Sequence, residues 1–77
     1  MGKLRVLSGR EVRRILEDHG FVFARQKGSH MIMVLEAEPG SDEVSRTVSV
    51  PDHKELLVGT LGGIIRESGL PRELFEV

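Results

Sequence analysis

Apolar positions near the start of the chain follow a helical rhythm. Val12, Ile15 and Leu16 recur at the i, i+3, i+4 spacing of one helix face, and His19 continues it. Just before them stand Ser8 and Glu11, an S-x-x-E capping box in which each side chain satisfies the other residue's free backbone amide. Leu7 before the cap and Val12 after it suit a hydrophobic staple. Gly20 stands where a left-handed C-terminal cap belongs, with Phe21 able to fold back on Leu16. The pattern predicts a helix over 8–19, whose opposite face carries Arg10, Arg13, Arg14 and Glu17.

The rhythm then changes to period two. Residues 21–26 read as a strand from their aromatic and β-branched content. Lys27-Gly28 reads as the hairpin turn, with glycine free to take a positive φ. Residues 29–36 form a second strand that is apolar on both faces: His30, Ile32 and Val34 on one, Met31, Met33 and Leu35 on the other. A polar loop spans 37–45, and 46–50 alternates as a third strand that Pro51 ends. After a connector at 52–58, Thr60 suits a helix N-cap, and Leu61, Ile64, Ile65 and Ser68 make a second helical stripe closed by Gly69. Gly62 and Gly63 cost that helix about 1 kcal/mol each against alanine. Their presence in its first turn suggests close backbone approach to the sheet or to a ligand. Residues 72–77 suit one short helical turn carrying Leu74 and Phe75.

Helix, three strands and helix, with short links, give an α+β fold. Three consecutive strands make an antiparallel meander, and two amphipathic helices need one sheet face to cover. The expected architecture is a two-layer sandwich with one face of the sheet bare. Strand 29–36 has apolar residues for that bare face too, which predicts a partner: a second protein, or a second copy of the chain. Methionine suits such a surface.

Composition narrows the field of functions. The chain has 77 residues, enough for one small domain spanning 1–77. It has no cysteine, which excludes a disulfide scaffold, a thiolate metal site and a cysteine nucleophile. No apolar run approaches membrane-spanning length, and the first residues lack the pattern of a signal peptide, so the expected location is the cytoplasm. The net charge is -1 but unevenly placed. Lys3, Arg5, Arg10, Arg13, Arg14, Arg25 and Lys27 outweigh Glu11, Glu17 and Asp18 in the first half, while the second half is acidic. A basic face able to hold phosphate fits that first half, because phosphate feels the local patch before the net charge.

Few residues can do chemistry. The three histidines are His19, His30 and His53, and no two share a metal-ligand spacing. Neither a metal nor an organic cofactor is expected. Gly59-Thr60-Leu61-Gly62-Gly63 at a helix start is a weak anion signal. His19, at a helix C-terminus, complements the helix dipole. His53 precedes Lys54 in a connector, as a turn residue or a phosphate contact. His30 directly follows Lys27-Gly28-Ser29 at a hairpin end, with Arg25 and Lys27 across the hairpin. A histidine among bases, beside a glycine that lets a substrate come close, suits proton transfer on a phosphodiester.

The segments Gln26-Lys27-Gly28-Ser29-His30-Met31, Val48-Ser49-Val50-Pro51-Asp52-His53-Lys54 and Gly59-Thr60-Leu61 resemble the HicA toxin family of bacterial toxin–antitoxin systems. Leu7-Ser8-Gly9-Arg10-Glu11-Val12, Leu16, Gly20-Phe21 and the run from Ile64 to Leu70 fit the same family. The resemblance implies a fold like that of double-stranded-RNA-binding domains. It further implies a ribosome-independent mRNA interferase with His30 as catalytic residue and Gly28 as the glycine of that site. The resemblance also implies a HicB-like antitoxin that would cover the site; on the chemistry of the residues themselves, RNA phosphate would be held by Arg25, Lys27, Gly28, Ser29, His53 and Lys54. The rival expectation is a non-catalytic RNA-binding or protein-interaction module on the same fold, holding phosphate on Arg10, Arg13 and Arg14.

Overall fold

A computed structural model describes residues 2–77. Helix α1 (Gly9–Asp18) leads into strands β1 (Val22–Lys27), β2 (His30–Leu35) and β3 (Arg46–Pro51), followed by helix α2 (Val58–Ser68) and a 3-10 turn at Arg72–Phe75. The strands form one antiparallel sheet in the order β1-β2-β3. This is the expected α+β arrangement of helix, sheet and helix.

Helix α1 begins as its sequence dictates. The Ser8 hydroxyl accepts from the Glu11 N–H at 3.1 Å, and the Ser8 N–H donates to the Glu11 carboxylate at 2.9 Å. His19 closes the helix, its Nδ1 2.8 Å from the Ile15 carbonyl oxygen, and Phe21 N–H returns to the Leu16 carbonyl at 3.0 Å. Leu7, Val12, Leu16 and Phe21 are all buried in one cluster with Met31, Met33, Val48, Val50, Leu61, Ile64 and Phe75. That cluster lies between the helices and one face of the sheet. The last residues return to the first: Arg5 N–H donates to the Phe75 carbonyl and Val77 N–H to the Lys3 carbonyl, both at 2.8 Å.

Three local expectations need correction. Lys27 belongs to the ladder opposite His30, so the hairpin loop is Gly28-Ser29 rather than Lys27-Gly28. Gly28 takes φ +59 at the first loop position and Ser29 has no positive φ, the pattern of a type II′ hairpin. Helix α2 starts at Val58 with Leu57 as N-cap and no side-chain cap, so Thr60 lies inside the first turn. Its start is fixed from outside the helix: Leu56 is buried and its N–H donates to the Leu7 carbonyl at 2.8 Å.

Gly62 and Gly63 consequently fall in the second turn, and neither approaches the sheet. A methyl group added at either would meet only the Arg66 guanidinium of the same helix, at 3.6 and 3.7 Å. The tight glycine is Gly9, where an added methyl would collide with the Pro51 carbonyl. There the first turn of α1 rests directly on the end of β3, and Gly9 N–H donates to the His53 carbonyl at 2.9 Å.

Candidate nucleic-acid interface on the open sheet face

Antiparallel register assigns every side chain of the sheet to a face, because residues directly opposite point the same way. Met31 and Met33 are buried under the helices, with Val50 and Val48 as their β3 partners. His30, Ile32 and Val34 therefore point to the helix-free side. Across β1 and β3 their partners are Lys27 and Pro51, Arg25 and Ser49, and Val22 and Thr47. A register shift between Phe23 and Arg25 sets both Arg25 and Val22 on that outer face while leaving Phe23 on the inner one.

Three of the expected site residues are thus brought together. His30, Lys27 and Arg25 share one face at the hairpin end of the sheet, with Lys27 directly opposite His30. All three are exposed. Gly28 links them, and an alanine there would meet no atom within 4 Å but would have to hold the left-handed φ. Ser29 lies in the same loop, and its carbonyl accepts from Asp52 N–H at 2.7 Å, tying the hairpin to the end of β3. No Asp or Glu stands at an outer-face ladder position, so both charged ladder groups of that face are cations.

His53 and Lys54 sit elsewhere. They line a separate cleft with Ser8, Arg10 and Asp52 at the start of α1. Arg10 is bound there by Asp52 at 3.2 Å, which raises its pKa further above the ordinary arginine range, by the hydrogen bond first and charge attraction second. Arg13 and Arg14 join Arg10 in a neighbouring cleft with Gln26 and Met31, on the helix side of the sheet. Arg13 lies over the Phe23 ring, 4.2 Å from its centre, and pairs with Glu17 at 3.3 Å. Arg14 faces Asp18 at 3.7 Å. The helix arginines thus already have partners, whereas no ion pair within 4.0 Å holds Arg25 or Lys27 among the described residues.

One residue of the site escaped the sequence reading. Ser49 on β3 has its hydroxyl 3.0 Å from Nδ1 of His30. It lies 19 residues along the chain from that histidine, and only the strand register brings them together. Alternation in 46–50 gave the outward direction of Ser49 but not its neighbour. Among the described residues, no three His, Cys, Asp or Glu side chains gather in a way that would hold a metal ion. No helix among them is long and apolar enough to cross a membrane.

Fold and face together define a small helix–sheet–helix protein that presents a histidine and two cations on an unlayered sheet surface. Residues 9–70 match the model of a family described as the HicA toxin of bacterial toxin–antitoxin systems. The chain belongs to that HicA toxin family, and membership implies an antitoxin as its partner. No curated protein matches the chain.

Proposed function

We propose that this HicA-family toxin is a metal-independent endoribonuclease, an mRNA interferase, and that His30 is its catalytic residue. Residues 1–77 would form one domain acting in the cytoplasm on RNA. The observation that carries the reading is the grouping of His30 with Lys27 and Arg25 on a sheet face that no helix covers. Family membership and the helix–three strands–helix order, which resembles double-stranded-RNA-binding folds, support it.

RNA carries its own nucleophile, the 2′-hydroxyl. In this scheme the imidazole of His30 takes the 2′-hydroxyl proton as the 2′-oxygen bonds to the adjacent phosphorus. The bond from phosphorus to the 5′-oxygen breaks, and that oxygen receives a proton from the imidazolium or from solvent. The products are a 2′,3′-cyclic phosphate and a 5′-hydroxyl, so atoms balance without a water molecule. Such proton transfer contributes roughly 10²–10⁴-fold. Lys27 and Arg25 offset the charge that gathers on the phosphoryl oxygens. Gly28 and Ser29 let the backbone come close, and His53 and Lys54 hold phosphate farther along the strand.

A HicB-like antitoxin would silence the toxin by covering the same face. Its apolar side chains would pack on Val34 and Val22, and its acidic groups would meet Arg25 and Lys27, adding on-rate more than affinity. A second copy of the chain is the alternative cover. The deciding experiment incubates purified wild type and His30→Ala with RNA in EDTA. Cleavage by the wild type alone, with cyclic-phosphate ends, supports the reading. Equal behaviour of the two proteins would leave the non-catalytic binding module. A strict need for divalent metal, or 3′-hydroxyl ends, would rule out the mechanism.

A further inference from the structure

We propose that Ser49 is a positioning residue for His30: its hydroxyl accepts a hydrogen bond from Nδ1–H and leaves the Nε2 lone pair to meet the RNA. The inference rests on the reading of His30 as proton acceptor and adds the group that orients it. Ser49 stands opposite Ile32, one step along the outer face from Pro51, the direct partner of His30. A diagonal neighbour of this kind is within reach of a ring, and the Oγ–Nδ1 distance is 3.0 Å. On β3 the direct partner, proline, offers no side-chain hydrogen bond, and on β1 the direct partner is Lys27, whose ammonium has no lone pair to accept from Nδ1–H. The backbone beneath Ser49 is firmly set, because Val48 and Val50 on either side are completely buried.

The two ring nitrogens thereby acquire different tasks. A serine hydroxyl is able to donate or accept, so contact alone leaves two tautomers to choose between. If Ser49 donated to Nδ1, the neutral ring would carry its hydrogen on Nε2, with no lone pair to take a proton from the 2′-hydroxyl. If Ser49 accepts, the hydrogen sits on Nδ1 and the outward nitrogen is basic. After proton uptake the same Nδ1–H still donates to Ser49, so the ring need not turn during the reaction. A histidine side chain free in water carries its hydrogen mostly on Nε2, so the hydrogen bond the protein supplies must hold it on Nδ1. The acceptor is a neutral hydroxyl rather than a carboxylate, so its effect is modest, about tenfold in rate.

The test uses the full chain with ¹⁵N-labelled histidine. In the wild type the neutral His30 ring should show an Nδ1 that carries hydrogen and an Nε2 that does not. Ser49→Ala should move the ring toward the opposite tautomer. On a labelled single-stranded RNA of mixed sequence, kcat should fall about tenfold with KM unchanged. Ser49→Thr keeps the hydroxyl on a strand-favouring residue and should restore both the tautomer and the rate. A wild-type ring protonated on Nε2, or a Ser49→Ala protein with unchanged kcat beside an inactive His30→Ala, overturns the role of Ser49 alone. Cleavage by His30→Ala at the wild-type rate overturns the parent reading and this one together.

Discussion

Strand β2 shows the same sequence character to both sides, yet its two faces have different fates. Met33 is completely buried under the helices, and Met31 nearly so. On the opposite side Ile32 is only 9% exposed although no helix lies above it, while Val34 is half-buried and His30 is open. Apolar content therefore does not decide which face becomes core. The choice is made by what the links allow: α1 turns through Gly20 and buries Phe21 on one side of the sheet, and α2 joins it there after Leu56. One face is spent on stability. The other keeps its apolar residues beside Arg25, Lys27 and His30, a mixture suited to a ligand or partner.

The division breaks if a residue of one face behaves like its opposite. Met33→Ala should cost about 2–5 kcal/mol, a large share of what a 77-residue chain has, and urea denaturation should show much or all of the fold lost. His30→Ala should change the same midpoint by no more than about 0.5 kcal/mol, and yet lose cleavage. A His30→Ala protein that unfolds as Met33→Ala does would end the separation of roles. Gly9→Ala tests the contact between the two layers. Its methyl group would stand 2.9 Å from the Pro51 carbonyl carbon, so the start of α1 must lift from β3. Thermal melts should show a loss of about 1–3 kcal/mol, the range for overpacking.

Smaller effects sharpen the picture. Ser8→Ala removes the acceptor of the capping box and should cost about 1 kcal/mol. Glu11 accepts from the Ser8 N–H, which lowers its carboxyl pKa below the ordinary value. The folded chain thus binds this proton more weakly than the unfolded one. The resulting stability is present above the unfolded value and lost as pH falls through the carboxylate range. Glu11→Gln should flatten that acid limb, as denaturation midpoints over a pH series will show. Least of all, Val22→Thr on the outer face should leave stability within about 0.5 kcal/mol while slowing or weakening capture by an antitoxin, read by surface binding. Unchanged antitoxin binding in that variant would place the partner on some other surface.

What the sequence revealed depended on how local the cause was. Helix α1 is legible because Ser8 and Glu11 settle its start within one turn, and the strands are legible because alternation is local too. The start of α2 is not, since no side chain caps it and a hydrogen bond from Leu56 to Leu7 fixes the chain there. The glycines misled for the same reason. Gly62 and Gly63 look like sites of close approach, but the crowded one is Gly9, whose neighbour Pro51 is far along the chain. His30, Lys27 and Arg25 fell close together in sequence and were readable as a group. Ser49 and the choice of outer face were not, because both follow from strand pairing.

The junction at Gly9 also governs the loop that leaves β3. Asp52 N–H is held by the Ser29 carbonyl, the His53 carbonyl by the Gly9 N–H, and Leu56 N–H by the Leu7 carbonyl. The segment carrying His53 and Lys54 is therefore pinned at three points within five residues, to the hairpin, to the helix and to the segment that leads into α1. Its backbone entropy is surrendered when the chain folds, not when an anion arrives. Whatever docks beside His53 and Lys54 meets a loop that is already ordered.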